Sequence, residues 1–168
     1  MKRSEINHAL KAALRCFKAA GWALPPHPRW DVTDCGLGRF AEIGLVLVNL
    51  ADHPEYCEKL MYAKRHQVLP LHTHRRKKED IICRAGRLAI ELWKGHPKRT
   101  RKGSRFSLLR NGEPIKVRSG ETIVLQAGER VTIDDAHDNF FVDPRIGRFP
   151  QIEEDERPFA HLLWEKPG

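Results

Sequence analysis

The chain has 168 residues and a net charge of +8, from 30 lysines and arginines against 22 aspartates and glutamates. Its length suits one domain with a substantial core, and no apolar run approaches the roughly 20 residues that a membrane-spanning helix needs. A mean hydropathy of -0.55 and a sequence pI near 9.6 describe a basic globular protein, which permits nucleic acid, anionic sugars or phosphorylated substrates as partners without choosing among them.

The opening "MKRSEINHAL" is basic but has no uninterrupted apolar stretch, so it does not read as a secretory signal and a cytoplasmic home is expected. Over residues 5–20, Ile6, Ala9, Leu10, Ala13, Leu14 and Phe17 recur at helical spacing, with Ser4 placed to cap the start and Gly21 to stop the run. This predicts one amphipathic helix. "LPPHPRW" then breaks regular structure, because proline neither donates to a ladder nor continues a helix. Residues 1–29 are therefore read as a helix with a Pro-rich connection, and 30–168 as the body of a single domain.

From Ile43 onward short β-like runs alternate with turn residues. The expected strands are "IGLVLVNL", "CEKLMYAKR", "QVLPLHTH", "DIICR", "RLAIELWK", "FSLLR", "PIKVR", "ETIVLQ" and "RVTI", with "AGR", "NGEP", "RSGE" and "QAGER" as turns between several of them. Such a series without intervening helices predicts an antiparallel sandwich or small barrel. "HPKRTRKGSR" at 96–105 reads as a solvated loop or extended hairpin, and the tail holds an acidic stretch followed by one last apolar run. Cys16, Cys35, Cys57 and Cys83 form no CxxC pair, which argues against a disulfide framework or a zinc knuckle and for reduced, mostly core thiols.

The segment "HTHRRKKEDI" at 72–81 concentrates the chemistry. On a strand, side chains alternate faces, so His72 and His74 share one side. Glu79, arriving after a short basic turn, can add an oxygen from the neighbouring strand. Two imidazoles and a carboxylate suit Mn, Fe, Co, Ni or Zn and leave positions open for a substrate, as catalytic sites do. An isolated His-x-His is a weak signal, and the cations at 75–78 oppose a bound ion.

"HTHRRKKEDI" followed by "AGRLAIELW" resembles the first metal-binding motif of a cupin, and specifically of the D-lyxose isomerase family. "MKRSEIN", "WDVTDCGLGRFAEIGLVLVNL" at 30–50, "YCEKLMYAKRHQVLPLHTH" at 56–74 and "RIGRFPQIEEDE" at 145–156 match that family in order, so the resemblance covers most of the chain. It implies a mainly β fold, a cupin-type antiparallel β-barrel or jelly roll with an N-terminal α-helix. It also implies a homodimer that interconverts D-lyxose with D-xylulose, or D-mannose with D-fructose, using a divalent metal, commonly Mn2+, with Zn2+, Co2+ or Fe2+ as alternatives. On the family pattern His72, His74 and Glu79 fall on the first three metal ligands. Lys59 and Lys78 match pocket lysines, and Arg148 with Glu153 to Glu156 match the segment that closes over the pocket.

Within that pattern Glu154 or Glu153 is expected to move the proton, Lys78 to support the sugar oxygen, and Lys59 and Arg148 to hold the sugar. The fourth ligand stays open. One alignment makes it His137, displaced by a couple of residues; the other, which runs without a gap into "RIGRFPQIEEDE", leaves about two strands and the usual histidine missing. Three other functions also stay open: a cupin that binds sugar without turnover, a non-haem iron oxygenase, and, last, a nucleic-acid binder, for which "HPKRTRKGSR" offers charge but no interleaved aromatic residues.

Overall fold

The structure, a computed structural model, describes residues 1–70, 72, 73, 78–134, 139–142 and 152–153, with the side chains of residues 1–70 and 78–133. The expected helix is α1 (Arg3–Ala19). It starts slightly earlier than its apolar pattern suggests, with Lys2 rather than Ser4 at the N-cap, because the Glu5 carboxylate reaches back to accept from the Lys2 backbone N–H at 2.7 Å. Gly21 ends it at φ +70°, a left-handed conformation that glycine adopts without a Cβ penalty.

Ala9, Leu10, Ala13 and Phe17 turn one face of α1 onto a three-stranded antiparallel sheet of β1 (Arg29–Thr33), β2 (Leu45–Asp52) and β3 (Cys57–Tyr62). Alternation along the strands brings Val32, Val46 and Val48 under the helix, with Trp30, Leu60 and Tyr62 at the margins. Phe17 is the hub: its ring lies 5.7 Å from Trp22, stacks on Trp30 at 6.3 Å and meets Tyr62 edge-on at 6.3 Å. This core belongs to the first of two compact units, the one holding Met1–Leu69.

The second unit is drawn from Pro70–Pro158. One of its sheets takes the order β5-β10-β7-β8, from β5 (Lys78–Ile82), β10 (Arg130–Asp134), β7 (Arg105–Arg110) and β8 (Glu113–Arg118). The other takes the order β12-β4-β11-β6-β9, from β12 (Ile152–Glu153), β4 (His72–Thr73), β11 (Asn139–Val142), β6 (Arg87–Lys94) and β9 (Glu121–Gln126). Ile90, Leu92, Ile123 and Leu125 from the second sheet share one core with Phe106, Leu108, Val117, Val131 and Ile133 from the first. The two sheets therefore face each other as a sandwich.

The fold is mainly β and antiparallel with a single N-terminal helix, as expected; the hydrogen-bonded strands among the described residues form three open sheets and no closed barrel. The β7–β8 connection is the two-residue Asn111-Gly112 turn with both residues at positive φ (+53° and +89°), the twist that suits a tight hairpin.

Two strand expectations need correction. In "QVLPLHTH" the described residues 67–70 are not strand. Gln67 is turned sideways, its amide donating to the Phe40 carbonyl and its Oε1 accepting from the Lys64 N–H at 2.7 Å, and Pro70 has no donor to offer a ladder. Conversely, "RWDVT" forms β1, although the prolines just before it suggest irregular chain. Of the cysteines only Cys83 is buried; Cys57 is exposed and all four are free thiols.

Candidate functional site

Strand β5 sets the orientation of the first candidate. Lys78, Asp80 and Ile82 are exposed while Glu79 and Ile81 are half-buried, the alternation a strand requires. Ile81 packs against the sandwich core, and Glu79 stands on the same side. In the β10–β5 ladder Glu79 lies opposite Ile133 and Ile81 opposite Val131, both fully buried. The Oε2 of Glu79 is closed off from solvent. A polar side chain at such a place needs a charged or hydrogen-bonding neighbour.

His72 lies in β4, in the sheet that faces Glu79's sheet across the core, and is described by its main chain. That main chain is flanked on both sides. Phe141 of β11 pairs with His72 in antiparallel fashion, and β12 runs parallel on the other edge with Ile152 beside His72 and Glu153 beside Thr73. Two stretches far apart in sequence are thus neighbours: the first histidine of the His-x-His and the start of the acidic "EEDE" segment. His74, His137, Arg148 and Glu154 lie outside the described residues. Among the described residues no three of His, Cys, Asp and Glu converge as a metal-binding group.

Of the two lysines, Lys59 belongs to the first unit and Lys78 to the second. Lys78 is exposed and alternates with half-buried Glu79 along β5. Lys59 is exposed on β3 of the first unit, opposite Asn49 of β2.

The sequence reading missed a buried polar cluster in the first unit. Asp31, Thr33 and Asp34 are 7 %, 3 % and 6 % exposed. Asp31 and Thr33 occupy the β1 positions that alternate with Trp30 and Val32, on the face turned away from α1. The backbone N–H of Cys35 donates to Thr33 Oγ1 at 3.0 Å and that of Gly36 to Asp34 Oδ1 at 3.1 Å, folding the chain into a tight polar turn. Burial, then the charges of Asp34 and Asp31, pushes the Cys35 thiol up to about 11. It is consequently neutral at ordinary pH and unsuited to nucleophilic work. The available signal was "DVTD" itself, polar residues at every second position of a strand.

A sequence model of D-lyxose isomerase matches residues 27–135, about two thirds of the chain. The protein belongs to the D-lyxose isomerase family. It is 29 % identical over 214 residues to the D-lyxose/D-mannose isomerase of Escherichia coli O157:H7, covering 93 % of this chain and 94 % of that one. It is 34 % identical over 168 residues to the D-lyxose/D-mannose isomerase of Serratia proteamaculans, covering 77 % and 72 %. To the D-lyxose ketol-isomerase of Cohnella laeviribosi it is 32 % identical over 105 residues, covering 58 % and 57 %.

Two details of these matches bear on the site. An alignment of 214 positions is longer than the 168 residues of this chain, so the Escherichia coli relative carries internal segments with no counterpart here. The D-lyxose isomerase family match also stops at residue 135, two residues before His137. β5 with Glu79 and β4 with His72 both fall inside the matched region.

Proposed function

We propose that the protein is a metal-dependent aldose-ketose isomerase that converts D-lyxose to D-xylulose. Membership of the D-lyxose isomerase family supports the reaction class. The inward carboxylate of Glu79, opposite buried Ile133 in the ladder and with Oε2 shut off from water, is the structural observation that supports the metal. His72, His74 and Glu79 would hold it, with Mn2+ the expected ion. A divalent ion in such a site supplies Lewis-acid polarisation of the sugar's carbonyl and hydroxyl oxygens.

The chain's own work is then positioning and proton transfer. Isomerisation moves one proton between C1 and C2 and a second between their oxygens, through an enediol. Glu153 or Glu154 takes the carbon-bound proton from one carbon and returns it to the next, keeping it on one face of the sugar. The main-chain pairing of Glu153 with Thr73, beside His72, supports a carboxylate-bearing segment at the edge of the metal site. The sandwich core around Glu79 limits water and strengthens the electrostatics there.

The test is a coupled assay for D-xylulose from D-lyxose on protein stripped with a chelator and then supplied with Mn2+. Activity should vanish on stripping and return with the metal. Glu79→Gln should weaken Mn2+ binding by about tenfold or more, read directly by calorimetry, with turnover falling in step. Isomerisation that persists unchanged in the metal-free protein would defeat the metal assignment. A second outcome, sugar binding without turnover, has one observation in its favour, the internal segments that this chain lacks relative to the Escherichia coli enzyme. D-Lyxose that raises the unfolding temperature yet yields no D-xylulose with any divalent ion would select it.

A further inference from the structure

Residues 94–118 hold nine lysines and arginines against one glutamate, so this stretch alone accounts for the net charge of +8 and the rest of the chain is balanced. Eight of the nine, Lys94, Lys98, Arg99, Arg101, Lys102, Arg105, Lys116 and Arg118, are exposed. None of the eight forms a salt bridge among the described residues. The ninth, Arg110, is engaged elsewhere, on Glu129.

The charges are gathered rather than scattered. On the β7–β8 hairpin, Phe106, Leu108 and Val117 face the core, so Arg105, Ser107, Lys116 and Arg118 face out. Arg105 stands directly opposite Arg118, and Ser107 opposite Lys116. Like charges directly opposite each other destabilise a sheet, so a pair of guanidinium groups there is most stable with an anion between them.

The basic loop before β7 is fastened to the same end of the hairpin. Gly103 N–H donates to the Ser119 carbonyl at 2.8 Å and Ser119 N–H to the Ser104 carbonyl at 2.9 Å. The Oγ of Ser119, 1 % exposed, also accepts from Lys94 N–H at 3.1 Å and from Ser104 Oγ at 2.9 Å. Arg101 and Lys102 are thereby held next to Arg105 and Arg118.

The β7–β8 hairpin stands apart from Glu79. β5, which carries Glu79, and β8 are the two ends of one sheet, three strand spacings or about 14 Å apart. Glu79 faces inward whereas the cations face outward. A neutral monosaccharide gives no reason for eight unpaired cations. An extended polyanion does: a six-residue hairpin spans about 20 Å, and duplex DNA carries one charge per roughly 1.7 Å of its axis. The patch lacks what other partners require. It has no exposed aromatic ring on which single-stranded bases stack, since Trp93 is half-buried and donates its Nε1–H to Glu91 at 2.6 Å. It also has no apolar side chain among the cations to enter a membrane; Leu109 and Pro114 lie at the far, turn end of the hairpin.

We infer that the outer face of β7–β8 and the 94–104 loop bind the phosphodiester backbone of duplex nucleic acid, without base readout, on a surface separate from the isomerase site. The inference is independent of the isomerase assignment. The experiment measures anisotropy of a short labelled DNA duplex of arbitrary sequence across a salt series. Three proteins are compared: the native chain, Arg101→Gln/Arg105→Gln/Arg118→Gln, and Lys11→Gln/Arg15→Gln/Lys18→Gln, which removes the same charge from the exposed side of α1. The native chain should bind at low salt with a log-log slope reflecting about four or more phosphate contacts. The patch variant should bind at least about tenfold more weakly, with a slope shallower by roughly 2.7, three contacts at about 0.9 each; the helix variant should match the native chain. All three should keep the native unfolding temperature to within a few degrees. Absent binding at low salt, equal loss in the two variants, or binding to phosphatidylserine vesicles in place of the duplex would overturn the inference.

Discussion

Cys35 and Cys57 have the same thiol and opposite surroundings. Cys35 sits in the turn after β1 beside buried Asp34 and Asp31, which with desolvation hold its thiol protonated up to about pH 11. Cys57 opens β3 and is exposed. Maleimide labelling at neutral pH, followed by peptide mapping, should modify Cys57 first and leave Cys35 unreacted until the protein is unfolded. Early labelling of Cys35 would mean that the polar turn opens readily. Gly44 makes a second single-residue case. A Cβ there would run into the Phe40 carbonyl and ring and the Gln67 amide, so Gly44→Ala should destabilise by about 1–3 kcal/mol, measured by denaturant unfolding.

At the level of elements, the β7–β8 hairpin is secured by its turn and by one ion pair. Gly112→Ala, at φ +89°, should destabilise by on the order of 1 kcal/mol. Arg110 reaches across to both oxygens of Glu129 at 2.8 Å and to the Val124 carbonyl at 3.0 Å. The N–H of Gln126, and then Arg110, hold the Glu129 carboxyl below its ordinary 4.5. A carboxylate depressed in the folded state stabilises the protein above its ordinary value, and that stabilisation is lost as pH falls through the lower folded value. Glu129→Gln should therefore lower the unfolding midpoint at neutral pH, and the difference from the native chain should shrink in strong acid. A difference that does not change with pH would place the effect outside this ionisation.

These elements also mark how far the sequence could be read. Asn111-Gly112 between two alternating runs leads directly to a hairpin, and Ile6, Ala9, Leu10, Ala13 and Phe17 lead directly to α1, because in both cases the signal is local. β1 was illegible for the opposite reason: Asp31 and Thr33 look like loop residues until burial on the sheet's second face is known. The end of the expected strand at 67–74 is likewise a tertiary effect, since Gln67 is turned by Phe40, far away in sequence. In the site, the family pattern named both Glu79 and Lys78, and the alternation along β5 sets the two on opposite sides of the strand. The pairing of Glu153 with Thr73 depends on a long-range parallel contact that no local pattern encodes.

On the scale of the whole molecule, the two units have separate cores, one centred on Phe17 and the other on Leu92, Leu125 and Ile133. Phe17→Ala should cost about 3–5 kcal/mol. Hydrogen exchange should show the loss at Val32, Val46 and Val48, with Leu125 and Val131 retaining native protection; uniform loss would make the chain a single cooperative unit. Charge divides the molecule differently from packing. The positive excess lies on one hairpin and its loop in the second unit, so the sugar chemistry and the phosphate-binding surface can be altered independently by substitution.

β8 has one more consequence. It is the terminal strand of its sheet, a place where an open row of main-chain donors and acceptors invites another chain to add on and grow into fibrils. Pro114 withholds one donor from that row and Lys116 and Arg118 repel a second copy of the same strand. The residues that make this border attractive to a polyanion thus also act as gatekeepers against self-association. A protein stripped of them to abolish DNA binding should be watched for thioflavin-positive aggregates on concentration.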